Sequence, residues 1–278
     1  MQHKLTDRSY WNSLYSQGDP EESSRPRNLL DRIFGERANR YRNVFLDQYI
    51  WDNLLPRFVS ADPSGRVLEI GSGAGHLLIH FHRRFGHIPY GVEYTPAGAE
   101  ANRRSFAANG IDSGNVIEED ALAPSFTDRY LESFDVVMSR GFIEHFTDPA
   151  AAIEAHLRVL KPGGVLIVTA PNLRGINWLQ VRLFAPAQLP LHNLSIMSVG
   201  RFRQLFPSDR LSESFCNLIG GLHLLMGNIG EGVGVQQPLL GILRKAQFAI
   251  NIVQCEIGAP NAWWLSPQLV YVGTKTRI

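Results

Sequence analysis

Cysteine is nearly absent from this chain of 278 residues: Cys216 and Cys255 are the only two. Two isolated thiols exclude a disulfide framework and a cysteine-built metal cluster, and they fit a reducing compartment, so a cytoplasmic setting is expected. A charge imbalance is also missing. Lys and Arg total 27 against 26 Asp and Glu, a net charge of +1, which gives no reason to expect nucleic acid or another polyanion as partner. No run reaches the ~18 apolar residues of a membrane-spanning helix, so no integral membrane association is expected. The polar start Gln2-His3-Lys4 lacks the apolar core of a signal peptide. There is no internal repeat and no long low-complexity tract. Six arginines (Arg25, Arg27, Arg32, Arg37, Arg40 and Arg42) make the N-terminal region locally basic, which reads as a solvated helical face.

What is present is a large apolar content, 44% against 19% charged, enough for one sizeable α/β domain. The most informative stretch is Arg66-Val-Leu-Glu-Ile-Gly-Ser-Gly-Ala-Gly75. Val67, Leu68 and Ile70 read as a short buried strand. Gly71, Gly73 and Gly75 then give a turn without side chains. A helix opens at His76, with its unpaired N–H groups facing that turn. The third glycine falls one position early for the dinucleotide fingerprint G-x-G-x-x-G. Residues 87–92 read as a second strand, and Glu93 at its end is placed to take the hydroxyls of a ribose. Thr95-Pro96 starts a helix as N-cap and N1, which runs to about Asn109-Gly110. Strands follow at 116–117, 134–139 and 165–169. Between the last two lies a helix after Asp148-Pro149, with Ile153, Leu157 and Leu160 on one face, ending at Lys161-Pro162-Gly163-Gly164. The alternation predicts a parallel, doubly wound sheet.

The strings E-I-G-S-G-A-G, F-D-V-V-M-S, E-H-F-T-D-P and L-R-V-L-K-P-G-G-V-L-I-V-T-A-P-N occur in one order across residues 66–172. Together they resemble the class I S-adenosylmethionine (SAM)-dependent methyltransferases, small-molecule type, and in particular those of ubiquinone and menaquinone biosynthesis. The resemblance implies an α/β fold with a seven-stranded, mostly parallel sheet whose last strand runs antiparallel beside the fifth, and SAM as cofactor. It implies a cofactor site of Glu69, Gly71, Ser72, Gly73, Gly75, Glu93, Tyr94, Asp120, Ala121, Ser139 and Arg140. Asp120 is the acid expected to accept from the adenine amino group.

By the same resemblance the chain divides into four parts. Residues 1–60 form a helical lid, with Tyr10, Trp11, Leu14 and Tyr15 as an apolar stripe, a polar loop at 18–27 and a helix over 39–58. Residues 61–172 are the SAM-binding core. Residues 173–209 form an insertion after the fifth strand that caps the substrate, carrying Asn177, Trp178, Arg182, Gln188, His192 and Asn193, with a short helix over 198–206. Residues 210–278 complete the sheet, with strands at 210–215 and 269–273 and an apolar helix over 238–253 that suits packing, a homodimer contact or lipid. Tyr10, Trp11, Trp178 and His192 are the candidate substrate contacts.

Methyl transfer from a sulfonium is an in-line displacement that needs a close, desolvated acceptor. A hydroxyl acceptor must also lose its proton to a neighbouring base. His145 and His192 are the candidates, with Glu144 and His223 behind them; His76, His80 and His82 on the first helix read as structural. Ser139-Arg140-Gly141 stands where metal-dependent catechol enzymes carry an acid, so no metal is expected. The sequence therefore points to methylation of a small-molecule acceptor, with a hydroxyl favoured, in secondary-metabolite or sugar and glycan biosynthesis. An amine acceptor and a SAM-binding protein without turnover remain as alternatives.

Overall fold

The computed structural model describes residues 4–16, 41, 45–224 and 237–277. The six N-terminal arginines, the polar loop at 18–27 and Val44 lie outside the described residues. The strands are β1 (Arg66–Ile70), β2 (Ile88–Glu93), β3 (Val116–Glu118), β4 (Phe134–Arg140), β5 (Leu160–Pro171), β6 (Leu211–Ile219) and β7 (Gln268–Lys275). They form one seven-stranded sheet in the order β3-β2-β1-β4-β5-β7-β6. β1 to β5 pair in parallel. β7 runs antiparallel between β5 and β6, as expected beside the fifth strand.

The sheet is apolar on both faces, as a parallel sheet covered by crossover helices must be. Successive β4 residues alternate: Val137 joins one core cluster, and Val136 and Met138 join the other. Behind one face lie α3 (His76–Phe85) and α4 (Pro96–Ala108), which contribute Leu78, Phe81, Phe85, Ala99 and Phe106. Behind the other lie α5 (Pro124–Arg129), α6 (Ala150–Val159) and α8 (Val199–Arg203), contributing Phe126, Ile153, Leu157 and Phe202. The expected cap at Thr95 is present: its side chain accepts from the Gly98 N–H, with Pro96 in the first turn.

Three segments differ from expectation. The helix over 39–58 is short and irregular where described: α2 (Phe45–Gln48) passes into a π-turn at Tyr49–Leu54 and a 3₁₀ turn at Leu55–Arg57. Pro56 has no N–H to continue an α-helical ladder. Lys161-Pro162-Gly163-Gly164 lies within β5 rather than outside it, because Leu160 already pairs with Phe134 before a register shift. The insertion, which shows little periodicity, holds α7 (Ile176–Phe184) and 3₁₀ turns at Pro186–Leu191 and Leu194–Ile196. The remaining helices are α1 (Arg8–Ser16) and α9 (Gln237–Ile257).

Candidate active site

The carboxyl ends of the parallel strands open into one cleft. Lys4, Thr6, Trp11 and Tyr15 line it from the N-terminal segment, and Gly71, Glu93 and Tyr94 from the β1 and β2 ends. Asp120 and Ala121 follow β3, and Arg140, Gly141, Phe142, His145 and Phe146 follow β4. This is the crevice in which open α/β sheets bind ligands.

Its floor is the glycine turn. Gly71, Gly73 and Gly75 have φ of 72°, 49° and 78°, the left-handed region that glycine tolerates. α3 begins with Gly75 as N-cap and no side-chain cap, so its first N–H groups stay available to a ligand. A methyl group at Gly73 would run into the Tyr15 ring. At Gly75 it would run into Asn102, which is fully buried and donates from Nδ2 to Ser72 Oγ at 2.8 Å. Ser72 is thus tied into the turn rather than presented to the cleft.

Glu93 is also more tightly held than a free ribose acceptor. Its Oε1 accepts from the Thr95 N–H at 2.9 Å and the Thr95 hydroxyl at 2.7 Å, and its Oε2 accepts from Gly73 N–H at 3.1 Å. One carboxylate therefore clamps the glycine turn to the start of α4, with lone-pair capacity remaining on Oε2. Glu69 lies beneath. Burial raises its carboxyl to about 8 despite Arg140, and its Oε2 has no hydrogen-bond partner. An orphaned acceptor under uncapped N–H groups and bare backbone suits a ligand bearing both a cationic and an anionic group, such as the amino-acid end of SAM. Asp120 stands at the rim, where its Oδ1 accepts from Leu122 N–H and its Oδ2 pairs with Lys4 Nζ at 3.1 Å.

Past β4 the cleft carries one imidazole, His145, while His192, expected to touch the substrate, lies beside that ring and not among the residues that line the cleft. A 3₁₀ turn at Ile143–His145 places His145 on the cleft. Its Nδ1 is 2.8 Å from the Leu191 carbonyl, which can only accept, so Nδ1 carries the proton and Nε2 presents a lone pair. Burial, with His192 beside it, lowers the His145 pKa to about 4. His192 repeats the arrangement: its Nδ1 lies 2.7 Å from the Gln188 carbonyl, and burial lowers its pKa. The two rings stand 4.8 Å apart. Glu144 is 1% exposed, its carboxyl is raised to about 8 by burial, and its Oε2 has no partner. Glu144, His145 and His192 each offer one donor atom within 4.8 Å of the others; among the described residues these are the ones that could hold a metal. Asn193 fastens the insertion here, its Nδ2 donating to the Phe146 and Thr147 carbonyls and its N–H to Glu144 O. Trp11 packs edge-on to His145 at 5.0 Å.

Several expected contacts lie elsewhere. Ser139 is buried and shares a hydrogen bond of 2.9 Å with His156 Nε2, because alternation on β4 turns it toward α6. Tyr10 is 36% exposed beside Trp11, on the outer face of α1. Trp178 is 41% exposed on α7, with no place on the cleft. His223 lies apart from it, its carbonyl accepting from Gln180. Tyr15, Lys4, Phe142 and Phe146 are cleft residues that sequence reasoning left out of the site; only the stripe on α1 gave a signal for Tyr15.

Comparison with known proteins agrees with this geometry. A family model described as a methyltransferase domain matches residues 39–215. A ubiquinone biosynthesis O-methyltransferase of Hahella chejuensis is 36% identical over 120 residues, covering 41% of this chain and 46% of the relative. A ubiquinone/menaquinone biosynthesis C-methyltransferase of Ruegeria is 31% identical over 121 residues, 43% of this chain and 47% of the relative. The chain thus spans about half the length of the curated relatives it matches. Among solved structures, a geranyl diphosphate C-methyltransferase of Streptomyces coelicolor, in complex with S-adenosyl-L-homocysteine, superposes with a TM-score of 0.57 at 16% identity, over 93% of this chain and 86% of that one; at that identity it speaks for the fold. With the family model covering more than half of its length and the sheet order and glycine turn in agreement, the chain belongs to the methyltransferase-domain family.

Proposed function

We propose that this protein transfers a methyl group from SAM to a hydroxyl of a small-molecule acceptor. The observation that carries the reading is His145, a buried neutral imidazole that lines the same cleft as Gly71 and Glu93, with Glu144 Oε1 3.9 Å from its Nε2. When bound, SAM supplies an electrophilic methyl group. The chain's own residues do the rest. The bare backbone of Gly71 to Gly75 lets the cofactor approach closely beside the uncapped start of α3, and Glu93 fixes that turn through the Gly73 N–H. Trp11, Phe142 and Phe146 exclude water from the acceptor. His145 takes the hydroxyl proton on Nε2 while Leu191 O holds its tautomer, and the His192 ring packs against it. The name of the O-methyltransferase relative supports a hydroxyl acceptor.

The test begins with calorimetric titration of SAM, S-adenosylhomocysteine and, as control, NADH. Binding of both sulfur nucleotides and not of NADH is expected. Phenolic and amine acceptors then compete for turnover. Methylation of the phenol, lost in His145→Ala while SAM affinity persists, supports the reading. Methylation of the amine alone, or binding without any turnover, refutes it.

A further inference from the structure

The insertion shows a face that the cleft does not use. Along α7, Trp178, Leu179, Arg182 and Leu183 fall on one arc of the helix by its 3.6-residue period. Trp178, Leu179 and Leu183 are 41%, 49% and 61% exposed, and Arg182 is exposed with them. The opposite side, with Asn177, Gln180 and Val181, is buried. This inverts the usual amphipathic helix: its apolar stripe points to solvent.

A second element extends the stripe. Trp263 and Trp264 are 58% and 49% exposed. They are held beside α7 because Ile176 N–H donates to Trp264 O at 2.9 Å and Gly175 lies against the Trp264 backbone. Asn172 Nδ2 donates to Trp263 O at 2.9 Å, and the Arg174 guanidinium stands 5.6 Å from the Trp263 ring centre. Three tryptophans and two leucines thus form an exposed patch with Arg174 and Arg182 set in it.

The two stretches that build it carry charge of one sign. From Asn172 to Ser208 there is no Asp or Glu, and none from Ile257 to Pro267 either; Arg174 and Arg182 are the patch's own charges, while Arg203 farther along is paired with Glu213. The chain as a whole is balanced, so this segregation is local. Exposed Trp and Leu with arginine and no acid match the interface of an anionic bilayer, where indole rings sit at headgroup level and each basic residue adds attraction. A second copy docked on the same face would set Arg174 and Arg182 against their own kind, whereas an anionic surface pairs them. No helix among the described residues is long and apolar enough to cross a membrane, so attachment is at the surface.

We propose that the α7 face with Trp263 and Trp264 docks this protein on the surface of anionic phospholipid membranes. This does not depend on methyl transfer, and SAM binding is measured alongside so that failure of either reading is distinguishable.

The experiment is co-sedimentation of the full chain with unilamellar vesicles, either phosphatidylcholine alone or with one-third phosphatidylglycerol. Two arginines at the surface predict partitioning about thirty-fold stronger on the anionic vesicles, reversed by raising salt. Tryptophan emission should shift to the blue on binding. Leu183→Glu and Trp263→Glu should each cut partitioning at least ten-fold. Both sites are exposed, so the melting temperature and SAM affinity should stay at the wild-type value. Sedimentation unchanged in both variants, or absent with either vesicle, overturns the proposal. A concentration-dependent dimer by light scattering that Leu183→Glu dissociates assigns the face to a second copy and overturns it as well.

Discussion

Replacing Gly75 with alanine adds one methyl group at the tightest point of the molecule's glycine turn, and Gly110 provides the control. Both glycines have positive φ, 78° and 70°, so both alanine variants meet the left-handed backbone penalty of about 1–2 kcal/mol, partly offset by a stiffer unfolded chain. They differ in space. A Cβ at Gly110 meets nothing within 4 Å, whereas at Gly75 it collides with the buried Asn102 amide. Asn102 cannot retreat without loosening its 2.8 Å bond to Ser72 Oγ. Overpacking of about 1–3 kcal/mol and a weakened hydrogen bond of about 1 kcal/mol make Gly75→Ala about 2–4 kcal/mol less stable than Gly110→Ala. At about 2–4 °C per kcal/mol for a domain of this size, that is a Tm gap of roughly 4–16 °C. Guanidinium unfolding followed by tryptophan fluorescence measures the free energies, and calorimetric SAM titration on the folded variants follows the site. Gly75→Ala should also lose at least ten-fold in SAM affinity, because the displaced Asn102 moves Ser72 and the turn. Equal unfolding midpoints for the two variants would refute the steric argument.

Other predictions test separate parts of the site. Glu93→Ala should weaken SAM by about 1–3 kcal/mol, the scale of charge-assisted hydrogen bonds, and should lower stability too, because Glu93 also clamps Gly73 to Thr95; a variant with wild-type stability would contradict the clamp. His156 is fully buried and its pKa is lowered to about 4 from 6.5. Its contribution is therefore present above pH 6.5 and lost as pH falls through 4, about 3 kcal/mol in all. His156→Asn should flatten that acid limb in urea unfolding measured from pH 4 to 7, and an unchanged limb would show that His156 does not drive it. Glu144 has the opposite sign: its folded pKa of about 8 lies above 4.5, so its contribution fades as pH rises from 4.5 through 8. Glu144→Gln should gain stability relative to wild type at pH 8 but not at pH 4, as thermal scans at the two values would show. If His145 acts as a base rather than a metal ligand, turnover should survive exhaustive chelation, and loss of activity restored by a divalent cation would reassign the Glu144–His145–His192 trio.

The half of the molecule that holds the cofactor cleft was legible because its signals are local. Val67 to Gly75 encodes strand, turn and helix start within ten residues, and Thr95-Pro96 announces the next helix by cap chemistry. On the other side His145 and His192 were named from the sequence, but their contact was not legible, because it is assembled from distant segments. His192 reaches His145 through the Asn193 anchors and the Leu191 carbonyl, and Lys4 reaches Asp120 from the N-terminal end. The family resemblance implies Ser139 as a cofactor contact, yet the two-residue alternation of β4 decides its side. Pro162-Gly163-Gly164 keeps its turn character, with Gly163 at φ 82°, as an irregularity between the paired residues Leu160 and Val165, which the local signal alone could not reveal. In the insertion, Trp178 is a candidate substrate contact because the resemblance makes that segment a cap; nothing in the sequence tells which face of α7 it takes.

The place of β7 has a consequence for synthesis. β5 and β6 are made long before β7, but neither touches the other; each waits for the strand that fits between them. While the chain is still emerging from a ribosome, β6 has no backbone partner and β5 has one edge open. The β1–β5 portion can collapse early, with its sequential crossovers, but the last third must remain provisional until β7 threads into an interior position. Such late, non-local pairing is slow, and it leaves two unpaired edges available to other chains in the interval. Production of this protein should therefore be limited less by the glycine turn than by how quickly its final strand arrives.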